Sequence, residues 1–239
     1  MPDINDPAET KSIAPSTSRA LVTQSLSLVR RGLVLANALL SRQDAEVYYK
    51  SGREKVRQHD YRQAVENFTR AIESDPDFAE AYSIRAMCFQ DLGEDQKELQ
   101  DREAVVRLRP HDYYAYTSRA LLYEILSNYE EALRDFTQAI ELAPEKIAPI
   151  FLRGQAYEDL GRYQDAIQDY SRVIELNRKY SGSTIFRSGE KYYIASAYFN
   201  RGVIYQKLNM LAEAFDDFRQ AAHLGHDPAR ARLEKQGLK

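Results

Sequence analysis

The sequence predicts an all-α fold of five consecutive helix-turn-helix units, with an extra helix before them and a short capping helix after them. Three observations predict it. One phrase recurs: "AYTSRALLYEILSNYEEALRDFTQAIEL", "IFLRGQAYEDLGRYQDAIQDYSRVIEL" and "AYFNRGVIYQKLNMLAEAFDDFRQAAHL". Helix breakers are few, with 8 Pro and 10 Gly in 239 residues, while Ala, Leu, Glu, Arg and Gln abound. Within a copy the apolar residues follow a helical stripe, as Ala166, Ile167, Tyr170, Val173 and Ile174 do.

Residues 1–18, rich in Pro, Ser and Asp, read as a disordered tail without the basic and apolar regions of a secretory leader. Residues 19–42 are not a repeat. Val22, Leu26, Val29, Leu33, Ala36 and Leu40 alternate spacings of four and three, an amphipathic helix with a heptad period. Three roles stay open for it: a helix packed on or capping the array, a partner or self-association helix, and an interfacial membrane helix.

The units then follow in register. Gly52, Ala86, Ala120 and Gly154 stand 34 residues apart, and Gly202 follows after an insertion of 14. Tyr48, Tyr82, Tyr116, Ile150 and Tyr198 open the units; Phe89, Tyr123, Tyr157 and Tyr205 follow. Ala64, Ala132, Ala166 and Ala214 precede Phe68, Phe136, Tyr170 and Phe218, and Pro76, Pro110 and Pro144 close the first three units. The expected units are 45–78, 79–112, 113–146, 147–180 and 195–228, with the insertion at 181–194 and a capping helix at 229–239.

This pattern resembles the tetratricopeptide repeat, across roughly residues 45–228. The resemblance implies helices A and B packed antiparallel in each unit, and units stacked into a right-handed superhelix. It also implies a concave groove lined mostly by A helices. The small residues let the helices approach, the aromatics fill the space around that contact, and the Pro ends helix B.

Two further positions repeat. Arg85, Arg119, Arg153 and Arg201 precede the small residue, and Asp101, Asp135, Asp169 and Asp217 stand 16 residues after each Arg. The first unit has Ser51 and Asn67 instead. The joint change predicts a charge-assisted Arg–Asp bond, within a unit or to the next, as a stacking clamp. In the second unit Glu98 and Arg102 occupy the slots of the Ala and the aromatic; four apart, they can pair along the helix, which predicts either a polar, more exposed helix or one that a partner covers. In the fourth, Arg178 replaces the Pro, so helix B runs on toward Tyr180. "SGSTIFRSG" then reads as a loop, and Ser188 as an N-cap for a lengthened helix. Ile185 and Phe186 at its tip read as a partner contact or a local lid. Asp227 reads as the N-cap of the final helix.

Net charge is −3 and no Lys/Arg cluster forms, which argues against nucleic-acid binding. Cys88 stands alone, so an internal disulfide is impossible; it reads as a small buried hydrophobe in a reducing, cytoplasmic setting. No phosphate-cradling loop, GxSxG or HExxH occurs. His223, His226 and Asp227 lie close in sequence, but nothing supplies further metal ligands at a recognisable spacing. We therefore expect no catalytic, cofactor or metal site.

The resemblance places the partner surface in the groove: Tyr49, Lys50, Arg53 and Arg57; then Ile84, Met87, Leu121, Ile125, Phe151 and Leu152; then Phe199, Asn200 and Val203. Several of these read equally well as inter-helix core. A basic end and an apolar middle suit an amphipathic helix or an extended peptide of another protein. Chaperone-binding members of the family grip a C-terminal carboxylate with Lys, Asn and Arg. The corresponding slots here hold Tyr49, Arg53, Ile84, Tyr114 and Ser118, so that role is disfavoured. The expectation is a non-catalytic scaffold in complex assembly. The alternative is a membrane-proximal assembly factor attached through 19–42.

Overall fold

The computed structural model describes residues 41–180 and 190–235, together with residue 30; the expected tail, most of helix 19–42, Ser188 and the tip residues Ile185 and Phe186 lie outside them. The described residues are helices and short turns, without strands. They fall into two compact bodies that divide between Phe78 and Ala79.

The first body holds helix α1, described over 41–57, and α2 (Tyr61–Ser74). Gly52 is where they meet: a Cβ there would stand 2.7 Å from the Phe68 ring. Ala45, Ala64, Phe68 and Ala71 are buried, and Tyr49 packs on Phe68 and Phe78 at 5.8 and 4.8 Å. Asp60 caps α2 by accepting from the Gln63 N–H.

The second body stacks α3 (Ala79–Leu92), α4 (Asp95–Leu108), α5 (Tyr113–Ile125), α6 (Tyr129–Leu142), α7 (Ile147–Asp159), α8 (Tyr163–Tyr180), α9 (Glu190–Lys207), α10 (Leu211–His223) and α11 (Asp227–Lys235). Odd-numbered helices are the A helices of their units and even-numbered ones the B helices, through α10. The core runs between layers, and Ile140, Ile150, Phe151, Tyr170, Val173, Ile194 and Ile204 join α6 through α9. At Gly202 a Cβ would stand 2.9 Å from Phe218, so glycine sets how closely α9 meets α10.

Every A–B turn has the same geometry. His59, Gly93, Ser127, Gly161 and Asn209 occupy it with φ between 57° and 71°. The next residue donates its N–H five positions back, as Asn128 does to the Tyr123 carbonyl at 2.7 Å. This is a Schellman stop, in which a left-handed residue satisfies the last carbonyls of the helix. Three of the five turns use a non-glycine residue there and carry its steric cost.

Two expectations are corrected. Glu98 does not lie on an exposed face; it is 2% exposed, and its carboxylate accepts from the Arg102 Nε at 2.7 Å. Arg102 also donates to Ser118 on α5. The ion pair fills the volume that an Ala and an aromatic fill in the other units, so the charges neutralise each other in the core. At the C-terminus the residue ahead of the last helix is His226; Asp227 is the first helical residue.

Candidate functional site

The repeated Arg and Asp meet within each unit. Arg119, Arg153 and Arg201 donate through Nε and Nη2 to both carboxylate oxygens of Asp135, Asp169 and Asp217, at 2.7–2.8 Å. Arg85 grips Asp101 the same way, at 2.8 and 2.7 Å. The remaining nitrogen reaches the preceding unit: Arg153 Nη1 donates to Thr137 at 3.1 Å, and Arg201 Nη1 to Ser171 at 2.7 Å. One guanidinium therefore ties together three helices. Its faces lie over aromatics of its own helix, Tyr116 and Tyr123 for Arg119 and Tyr198 and Tyr205 for Arg201, at 5.7–6.0 Å. Burial pushes the Asp101 and Asp217 carboxyls up, and their guanidinium partners pull against it. In the first unit, Asn67 turns back on its own helix and donates to the Gln63 carbonyl at 2.8 Å.

The residues expected in the groove divide by exposure. In the first body Lys50, Arg53 and Arg57 are exposed, Arg57 bonds to Glu54 at 2.6 Å, and Tyr49 is half-buried. In the second body Met87, Leu121 and Ile125 are exposed at 56%, 39% and 64%. Ile84, Leu152, Phe199, Asn200 and Val203 are half-buried. Leu152 packs against two core clusters. Phe199 stacks on His226 at 4.5 Å, and Arg232 of α11 lies over its ring at 5.9 Å.

Phe151 is not a surface residue. It is 3% exposed, held between Tyr170 at 5.6 Å and Tyr193 at 5.3 Å. The cause is the early start of α9: its opening turn carries Tyr193 and buried Ile194 back onto α7.

The same face carries charges that the sequence analysis did not single out. Glu124 lies on the α5 face between Leu121 and Ile125, and its neighbour on α7 is Asp159. Burial, reinforced by Asp159, pushes the Glu124 carboxyl up to about 7. One unit further on, Lys207 of α9 bonds to Glu158 of α7 at 3.3 Å. Glu158 also accepts from the Tyr170 hydroxyl at 3.3 Å, and Asn200 donates to that hydroxyl at 3.3 Å. The signal in the sequence is the register: Gln90, Glu124 and Glu158 are equivalent, as are Ile125, Asp159 and Lys207.

Cys88 is buried, and desolvation pushes its thiol up to about 11, so the reactive thiolate is scarce near neutral pH. Among the described residues no group of three or more His, Cys, Asp or Glu stands together as a metal site. No described helix is long and apolar enough to cross a membrane.

Family profiles described as Tetratricopeptide repeat match residues 49–113, 113–146, 150–180 and 195–224. The chain belongs to the tetratricopeptide repeat family. Its fold is similar to that of a MamA crystal structure, with TM-score 0.65 at 18% identity, covering 79% of this chain and 95% of that one. MamA from Desulfovibrio magneticus RS-1 is similar too, with TM-score 0.64 at 15% identity, covering 77% and 96%. So is YrrB, described as a TPR protein with an unusual peptide-binding site, with TM-score 0.62 at 17% identity, covering 81% and 93%. At these identities the likeness concerns the fold. In sequence, 59 residues are 39% identical to Hsp70-Hsp90 organizing protein 1 of Glycine max, a match spanning 25% of this chain and 10% of that protein.

Proposed function

We propose that this protein is a non-catalytic, cytoplasmic scaffold that takes a segment of a partner protein on the A-helix face of its second body and serves complex assembly. One observation carries the reading. Leu121 and Ile125, four residues apart on α5, are both exposed, at 39% and 64%. They form one face of a helix, and with Met87 on α3 they offer apolar anchors to a peptide. YrrB, a protein of the same fold with a peptide-binding site, supports the use of this fold for such binding. The short match to the organizing protein does not bring its partners with it. The slots at Ile84, Tyr114 and Ser118 lack the side chains of the chaperone clamp.

The test is affinity capture on the intact chain and on a Leu121→Glu/Ile125→Glu variant, both first shown to fold by circular dichroism. The reading expects a partner that the parent retains and the variant loses. Partners retained equally by both proteins contradict it. Phe151 is unsuitable for this test because it is packed in the core.

A further inference from the structure

The repeat gives its own control for the charges on this face. The joints between A helices can be compared at two fixed register positions. Between α7 and α9 they hold Glu158 and Lys207, a carboxylate completed by an ammonium at 3.3 Å. Between α5 and α7 the same two register positions hold Glu124 and Asp159, two acids. Between α3 and α5 those positions hold Gln90 and Ile125, an amide and an apolar side chain. The middle joint thus repeats the acid of the Glu158 joint but puts an acid where the cation stands. Among the described residues no Lys or Arg bonds to either Glu124 or Asp159. Leu121 and Ile125 flank Glu124 on the same helix and are exposed.

We propose that the α5–α7 joint receives a Lys or Arg side chain of the partner segment, set between apolar residues that lie on Leu121 and Ile125. This deepens the proposed function and rests on it. The incoming cation takes the place that Lys207 holds at the next joint, bonding to both carboxylates. Burial and the Asp159 charge disfavour ionisation of Glu124, and a cation beside it reverses that. A cation so placed forms charge-assisted hydrogen bonds that a neutral side chain does not. The apolar flanks supply the non-directional part of the binding. The occupant is therefore a basic-apolar peptide, in contrast to an acidic chain terminus.

The test is a selection of random peptides displayed on phage against the full chain. The selected peptides are then titrated by fluorescence anisotropy against the parent and three variants. Glu124→Gln/Asp159→Asn removes both charges. Glu124→Lys supplies the missing cation from within and pairs with Asp159 as Lys207 pairs with Glu158. Leu121→Ser/Ile125→Ser removes the apolar flanks. We expect a shared Lys or Arg beside apolar residues, and about a 10-fold or greater loss of affinity with each acid variant. Each variant keeps the helical circular dichroism of the parent. Selected peptides without a basic residue, or unchanged binding to both acid variants, overturn the inference. If the Ser variant alone loses binding, the docking face stands and the cation does not. If no variant loses binding, or no peptide is selected, both readings fall. Saturable calcium binding by the parent that abolishes peptide binding assigns the acids to a metal ion and also overturns the inference.

Discussion

Replacing Asp169 with alanine strands the Arg153 guanidinium. Asp169 is 4% exposed and accepts two bonds from Arg153, both at 2.8 Å. The one bond left to the guanidinium is the 3.1 Å contact with Thr137. Removing one partner of a buried pair costs about 3–5 kcal/mol, because the other charge stays in the interior without compensation. The first unit shows what a neutral replacement looks like, with Ser51 and Asn67 in the two positions. Copying it, Arg153→Ser/Asp169→Asn strands no charge and costs about 1–2 kcal/mol, the size of lost hydrogen bonds. The double variant is then more stable than the Asp169→Ala single variant by roughly 2 kcal/mol. Urea unfolding followed by far-UV circular dichroism measures it, with Arg153→Ser and Asp169→Asn alone completing the cycle. In thermal melts each kcal/mol appears as about 2–4 °C. The reasoning is refuted if Asp169→Ala costs under about 1 kcal/mol, the value of a solvated ion pair, or if the double variant costs as much as its two single changes together.

Other outcomes follow from the same structure. Ser127→Gly relieves a left-handed residue at φ 60°, and raises stability by about 0.5–1 kcal/mol, read as a higher melting temperature. Phe151→Ala, which opens a cavity between Tyr170 and Tyr193, lowers stability by about 3–5 kcal/mol in urea unfolding. The Glu124 carboxyl, raised to about 7 from an ordinary 4.5, binds its proton more tightly folded than unfolded, so its share of stability is present below 4.5 and lost as pH rises to about 7. Glu124→Gln therefore matches the parent near pH 4.5 and exceeds it above pH 7, by about 1 kcal/mol once solvent screening of this part-exposed group is included. For the same reason, affinity for a basic peptide rises as pH increases through about 7, which anisotropy titrations across that range read directly.

The fold was legible because its physics repeats. A small residue facing an aromatic, as Gly154 faces Tyr170, recurs in most of the units, and so does the Arg–Asp pair. Where one unit departs, the sequence is a poorer guide. Glu98 and Arg102 look like a solvated face on their own helix, and their burial depends on Ser118 of the next. Phe151 occupies the position that half-buried Tyr49, Ser83 and Phe199 hold in other units, and residues that the insertion adds to α9 cover it here. The left-handed turns at His59, Ser127 and Asn209 carry no glycine to announce them. The Glu124–Asp159 joint is visible in register once Glu158 and Lys207 are known to touch, and that contact belongs to the stacking.

The measurement that tests the docking face most directly is photo-crosslinking in the native cell. A benzophenone amino acid is placed singly at Leu121 and Ile125, and at exposed Arg134 on α6 as the control. The account predicts discrete adducts from Leu121 and Ile125 that Glu124→Lys suppresses, and none from Arg134. Adducts from Arg134 alone, or adducts from all three positions that Glu124→Lys leaves unchanged, contradict it.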